Sequence, residues 1–224
     1  MAQNKSEMTR ERIRQAAFEL FASQGFEETT MRHIAERAEC SIGLTYRYFG
    51  GKDELVSSLY RELFDSFEGE LAKAPPGSFA ERFEWAVRQK VQLLAPIRTT
   101  LATAMGSALR PDTPVSILGA ESSDIRQRHC AAFQKLIEES TDAATVENAE
   151  NLAVLLYVAY MSIMLFWFYD PTEGGKSTND LSQFMAQLLK LTPLLQTLAG
   201  PQLGVDRLAD ILRPVFLAPV PGEN

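Results

Sequence analysis

Nineteen consecutive residues without a charge, Asn151 to Tyr169 (NLAVLLYVAYMSIMLFWFY), set the first constraint on this chain. As an α-helix the run spans roughly 28 Å, close to the thickness of a bilayer core. Its flanks argue for another setting. Asp142, Glu147 and Glu150 precede it, Asp170 and Glu173 follow it, and no Lys or Arg stands close to either end to set an orientation. Outside a membrane, a helix that is apolar all round must be covered by protein, in a core or at a subunit interface. The expectation is a helical chain with a large buried core and no membrane partner.

Composition agrees. Of 224 residues 46% are hydrophobic and 23% charged, so wholesale disorder is excluded and a core is expected. The net charge of −7 excludes a general basic coat but leaves room for a local nucleic-acid face. Two cysteines, Cys40 and Cys130, cannot make a disulfide framework. The first residues, MAQNKSEMTRERIRQ, lack the apolar run of a secretory signal, so a cytoplasmic setting is expected.

Helical patterning runs almost throughout, and strand-type alternation never persists. The pattern predicts a first helix over 9–23, capped by Thr9 and ended by Gly25, with Ile13, Ala17, Leu20 and Phe21 on its apolar stripe. Short helices follow at 31–38 and 42–49, joined by a tight turn at Glu39-Cys40-Ser41. Gly50-Gly51 breaks the chain before a long helix over 52–73, and Pro75-Pro76-Gly77 is the clearest punctuation. Further helices are expected over 79–95, 98–109, 115–140, 144–169, 179–198 with a kink at Pro193, and 204–217.

At 100° per residue, Ser41, Thr45 and Phe49 share one face of the third helix. That face can pack on Ile34, Ala35 and Ala38, while Gly43, Leu44, Tyr46 and Arg47 point outward. A major groove about 12 Å wide admits such a helix. Through residue 60 there are 8 Lys+Arg and 9 Asp+Glu, leaving 14 and 20 for the rest. The N-terminal part is close to neutral, so Arg32, Arg47 and Lys52 on one face suffice to meet phosphates.

At this point the chain resembles the TetR/AcrR family of bacterial transcriptional regulators. The resemblance rests on Arg12-Ile13, Ala16-Ala17, Leu20-Phe21, Gly25-Phe26, Thr29-Thr30, Ile34-Ala35, Ala38, Ser41, Gly43, Tyr46, Tyr48-Phe49, Lys52 and Leu55. It is close over residues 9–55; beyond them only the number and length of helices match. It implies an all-α protein with a helix-turn-helix DNA-binding domain over 1–50 and a larger helical ligand-sensing and dimerisation domain over 51–224. It implies a homodimer, most often a repressor, that leaves a palindromic double-stranded operator when a small molecule binds. Thr30 and Arg32 resemble phosphate or groove-edge contacts, and Ser41, Ile42, Gly43, Leu44, Tyr46, Arg47 and Tyr48 match positions that touch DNA in relatives. Lys52 matches a phosphate contact at the start of the next helix. Ile42 and Leu44 are apolar where relatives often carry hydrogen-bonding residues, and Gly50-Gly51 replaces the usual Pro-containing cap.

The second part offers aromatic side chains for a mostly apolar cavity. Trp85, Leu101, Met105, Phe133, Tyr160 and Trp167 are the candidates for its wall, and a hydrophobic or aromatic small molecule is the expected ligand. Leu181, Phe184, Leu188, Leu191 and Leu195 form a stripe which, with the uncharged helix, is expected to build the dimer interface. His129 and Cys130 point about 100° apart on a helix and make a poor chelating pair, so neither metal nor cofactor is expected. No nucleophilic triad or phosphate-binding glycine loop is present, which argues against an enzyme. The alternative is a helical adaptor that has kept this scaffold without ligand-controlled DNA binding; operator selection separates the two.

Overall fold

The computed structural model describes residues 2–99, 101–102, 108–111, 113, 116–192, 194 and 204–217. Its described helices are α1 (Ala2–Gln24), α2 (Met31–Arg37), α3 (Ile42–Tyr48), α4 (Lys52–Leu71), α5 (Phe79–Leu94), α6 (Ser123–Glu138), α7 (Ala149–Tyr169), α8 (Lys176–Leu189) and α9 (Val205–Phe216). Among the described residues there is no strand, in keeping with the all-α expectation. The chain forms two compact units, 1–62 with 97–122, and 63–96 with 123–224; α4 begins in the first and ends in the second.

The first unit is organised around Ile13, Ala17 and Phe21 of α1, Ile34 and Ala38 of and after α2, Phe49, and Leu55 of α4, all fully or almost fully buried. Burying an aliphatic or aromatic side chain of this size contributes about 1.5–3 kcal/mol. Gly25 ends α1 at φ +90°, and its N–H donates to the Phe21 carbonyl at 3.1 Å. A side chain at that φ is strained, which is why glycine stands there. Contrary to expectation, α1 does not start at Thr9. No Gly or Pro interrupts the preceding residues, and the Thr9 hydroxyl donates to the Lys5 carbonyl within the helix at 2.9 Å. The extension is tied to α3 by a 3.1 Å hydrogen bond between the Ser6 and Tyr48 hydroxyls.

The second unit holds the last turns of α4 with α5 to α9. Ser78 and Glu81 close a capping box at the start of α5. Three helix starts differ from expectation. α6 begins at Ser123 because a turn from Ser116 to Gly119, held further by Ser122 Oγ donating to the Ser116 carbonyl at 2.9 Å, occupies the preceding residues. α7 begins at Ala149 because the Asn148 side chain caps it, accepting from Asn151 N at 3.0 Å. α8 begins at Lys176, where Asp170 accepts from the backbone N–H and hydroxyl of both Thr172 and Thr178. Those bonds hold the Asp170 carboxyl well below its ordinary pKa. Pro193 and half of the expected helix over 98–109 lie outside the described residues, as do Met105, Leu195 and the C-terminal tail.

The uncharged helix α7 is not covered on every side by its own chain. Leu152, Leu156, Tyr160, Ile163 and Trp167 face inward, while Ser162, Leu165, Phe166 and Tyr169 face solvent. Its N-terminal end is fixed to α9, where Arg213 Nη2 donates to the Asn151 side chain and pairs with Glu150 at 2.9 Å. Asn151 in turn donates to Asp206 at 2.6 Å.

Candidate nucleic-acid interface

The local chemistry of residues 30–49 builds a helix-turn-helix from its caps. Thr30 Oγ1 accepts from His33 N at 3.2 Å and starts α2; Ser41 Oγ accepts from Leu44 N at 3.2 Å and starts α3. The turn between them is closed by Cys40 N donating to the Ala35 carbonyl at 3.0 Å. It passes through Glu39 at φ +51°, a left-handed conformation held by a residue that is not glycine.

α3 has two unlike faces, as its periodicity requires. Thr45 and Phe49 are buried, and the Thr45 hydroxyl bonds to the Ser41 carbonyl and lies 3.2 Å from Cys40 Sγ. Arg10 covers Phe49 from outside, its guanidinium carbon 5.3 Å from the ring centre. Ile42, Gly43, Tyr46 and Arg47 are exposed, with Ser41 at the helix start, while Leu44 and Tyr48 are half-buried. Ile42 is 43% and Tyr46 51% exposed.

Two further features mark this face. Arg14 is paired with Glu11 and Glu62, and Arg37 with Glu19 at 2.7 Å. Among the described residues no carboxylate pairs with Arg32 or Arg47, so both exposed cations stay available to an outside anion. Gly43 costs its helix about 1 kcal/mol relative to alanine. A Cβ there would meet nothing within 4 Å, so nothing inside the molecule calls for glycine. The α3 backbone at Gly43 is therefore open to close approach.

Lys52 is placed differently from the outward residues. Its Nζ donates to the Phe26 carbonyl at 2.7 Å and the Glu27 carbonyl at 3.3 Å, and stands 4.5 Å over the Phe26 ring. It ties α4 to the loop after α1, and one of its three N–H groups remains for a phosphate. Glu54 Oε2 accepts from Gly50 N at 2.6 Å and caps the glycine pair that opens α4.

The candidate ligand residues are not all brought together. Phe133 and Tyr160 meet in the core of the second unit with ring centres 5.6 Å apart, within a group that includes Phe64, Phe67, Phe83, His129 and Tyr157. Burial raises the Tyr157 and Tyr160 phenols well above their ordinary pKa. Trp167 is buried further along α7, beside Phe168 and Gly175, and Trp85 is half-buried on α5. Leu101 is buried in the first unit. A groove of about 270 Å³ between α5 and α8, lined by Glu84, Arg88, Val91, Gln92, Gly174, Asn179, Ser182 and Gln183, includes none of the six.

Two polar residues in this core escape a sequence reading based on aromatics. Lys90 shares the apolar face of α5 with Phe83, Val87 and Leu94, and His129 shares that of α6 with Ile125, Phe133 and Leu136. A charged or polar residue at core spacing was the available signal. Burial lowers Lys90 to about 7. Burial first, then the charge of Lys90, lowers His129 to about 3.

Apolar surface is left on two helices of the second unit. Phe184 is 60% and Leu188 43% exposed on α8, and Leu191 and Leu194 beyond it are also exposed. With Leu165, Phe166 and Tyr169 of α7 they are large apolar side chains left uncovered by this chain.

The family model for bacterial regulatory proteins of the tetR family matches residues 13–59, which hold α2, α3 and the buried core around them. The HTH-type transcriptional regulator HbdR of Aromatoleum sp. (strain CIB) is 33% identical over 166 residues, 69% of this chain and 72% of that one. The HTH-type transcriptional repressor KstR of Rhodococcus jostii is 40% identical over 78 residues, 34% of this chain and 36% of that one. The transcriptional regulator FadR from Bacillus subtilis, solved in complex with stearoyl-CoA, superposes with a TM-score of 0.64 over 80% of this chain and 96% of that one. At 18% identity that similarity is one of fold.

Proposed function

The chain belongs to the TetR family of bacterial regulatory proteins and is a DNA-binding transcriptional regulator, not an enzyme; from that premise we propose that it is a cytoplasmic repressor, released from a palindromic operator by a hydrophobic small molecule. Residues 1–50 form the reading head and 51–224 the sensing and dimerising part. The observation that carries the reading is the outward face of α3. Ile42, Gly43, Leu44 and Arg47 enter the groove, while Thr45 and Phe49 fix the helix from behind. Ser41, Tyr46, Tyr48, Thr30, Arg32 and the remaining N–H of Lys52 serve the phosphates. Thr30 accepts a backbone bond with its oxygen and keeps its hydroxyl proton to donate.

Two heads reach a palindromic site when copies pair about a two-fold axis. The exposed apolar residues of α7 and α8 are the surface for that pairing. The ligand enters the second unit, with Phe133 and Tyr160 in its wall and Trp85 and Trp167 as further candidates; Leu101 belongs to the first unit and leaves the set. The occurrence of stearoyl-CoA in the B. subtilis relative supports an apolar occupant. Because α4 is unbroken from Lys52 to Leu71, displacement of its last turns is transmitted to the reading head.

Selection of binding sites from random duplex DNA tests the reading. An inverted repeat is expected. Arg32→Ala, at a phosphate position, should weaken all sequences alike and lower the slope of log affinity against log salt by about one unit per head, whereas Arg47→Ala should also relax the sequence preference. Recovery of no preferred sequence would favour an adaptor that has kept the scaffold.

A further inference from the structure

Two buried polar groups of the second unit bear on what the sensor binds. Lys90 is 4% exposed. Its ammonium donates one hydrogen bond, to the Leu63 carbonyl at 2.9 Å, and stands 4.7 Å over the Phe67 ring. An ammonium has three N–H donors, and among the described residues no carboxylate meets this one. His129 is 7% exposed. Its Nδ1 lies 2.8 Å from the Ile125 carbonyl, which can only accept, so Nδ1 carries the proton and Nε2 presents a lone pair. That Nε2 is buried and has no partner.

The two groups belong to one cluster. Phe67 lies under the Lys90 ammonium and has its ring centre 6.1 Å from that of His129. Phe64 stacks edge-on to His129 at 4.4 Å, and Tyr157 and Tyr160 each lie 5.5 Å from it. Packing alone favours neither polar group, since an apolar side chain of similar volume leaves no charge or lone pair unpaired in the core. An ammonium short of acceptors next to a lone pair short of a donor, with aromatic faces around both, is a complement to an amphipathic acid.

Resting on the sensor reading above, we propose that the second unit binds a small carboxylic acid with an apolar body, its carboxylate paired with Lys90, its body against Phe64, Phe67, Phe133 and Tyr160, and a hydroxyl on that body donating to His129 Nε2. Phe64 and Phe67 lie on the last turns of α4, so the occupant touches the helix that begins just after α3.

The test uses the full chain with 4-hydroxyphenylacetate, phenylacetate and the neutral 4-hydroxyphenylacetamide at millimolar concentration. Binding is read by calorimetry and thermal shift, and affinity for the selected operator by fluorescence anisotropy. Both acids should bind and the amide should bind at least about tenfold more weakly, because a charge-assisted hydrogen bond is lost. Lys90→Met should weaken both acids about 10- to 100-fold. His129→Phe should weaken the hydroxylated acid more than phenylacetate. Lys90→Gln repeats the charge removal should the methionine variant fail to fold. Absence of binding by either acid, or affinities unchanged in the Lys90 variants, overturns the proposal. Lys90-dependent binding without any change in operator affinity supports this site and rejects ligand release. Operator release by a neutral apolar compound but by neither acid does the reverse.

Discussion

The buried imidazole gives the second unit a specific acid sensitivity. His129 titrates at about 3 in the folded chain against an ordinary 6.5. The proton therefore prefers the unfolded chain. The stabilisation is fully present above pH 6.5 and is lost as pH falls from there toward 3. At pH 4.5 unfolded His129 is almost fully charged and the folded one almost neutral, so the loss relative to pH 7 is on the order of 2 kcal/mol or more. The groups around the ring are Lys90 from α5, Arg128 on its own helix, Tyr157 and Tyr160 from α7, and Phe64 and Phe67 from α4. None of the phenols titrates in that range. Trp85 and Trp167 are the chain's two tryptophans and both lie in the second unit, so their fluorescence in a urea titration follows the relevant transition. Between pH 7 and 4.5 the wild-type midpoint should fall by roughly 1 M more than that of His129→Phe. Carboxylates elsewhere contribute equally to both proteins and cancel in the comparison. Equal falls in the two proteins would refute the reasoning.

Leu188→Glu should give monomers by light scattering at micromolar concentration and lose tight operator binding, since a carboxylate buried across a two-fold interface without a partner costs about 3 kcal/mol or more. A dimeric variant would place the interface elsewhere. Replacing thymine by uracil opposite Ile42 and Leu44 should weaken operator binding about fourfold per half-site, the equivalent of one buried methyl; unchanged affinity would show that the methyl is not read. Gly43→Ala should raise stability by about 0.5–1 kcal/mol in a denaturant titration while weakening operator binding. Gains in both would remove the close-approach role given to this glycine.

The legible parts of this molecule are those decided by neighbouring residues. The caps at Thr30 and Ser41, the left-handed Gly25 and the two faces of α3 all follow from side chains within a few positions, and the structure has each of them. Helix starts set by distant or looping contacts were not legible. The reach of α1 back to its N-terminal residues is accompanied by a bond from Ser6 to Tyr48, 42 residues away. The start of α8 depends on Asp170 folding back eight residues to Thr178. Lys52 reads as a phosphate ligand by position, and only the folded loop brings the Phe26 and Glu27 carbonyls to its ammonium. In the second unit an aromatic at core spacing looks the same whether it faces a ligand or a neighbouring ring. Phe133 and Tyr160 converge, while Trp167 packs at another level of α7, a difference of helix phase and crossing that no local pattern contains.

Exposed and buried cations of this chain are placed on different terms. In the reading head Arg32 and Arg47 point outward and meet no carboxylate among the described residues, so phosphates can be met in high dielectric at little cost. In the second unit several outward cations are paired: Arg128 with Asp65 at 2.7 Å and Glu68 at 3.0 Å, Lys190 with Glu81 at 3.2 Å, Arg213 with Glu150 at 2.9 Å. Acidic residues outnumber basic ones beyond residue 60, so a carboxylate for Lys90 was not wanting in the sequence. Leaving it without one, at a pKa of about 7 against an ordinary 10.5, destabilises the folded unit by about 4 kcal/mol at pH 7.5. Coupling between a ligand and an operator needs about 1–3 kcal/mol of differential affinity. An anion that reaches Lys90 in one arrangement of α4 and not in the other has a different affinity for the two, which is the differential that the proposed switch requires.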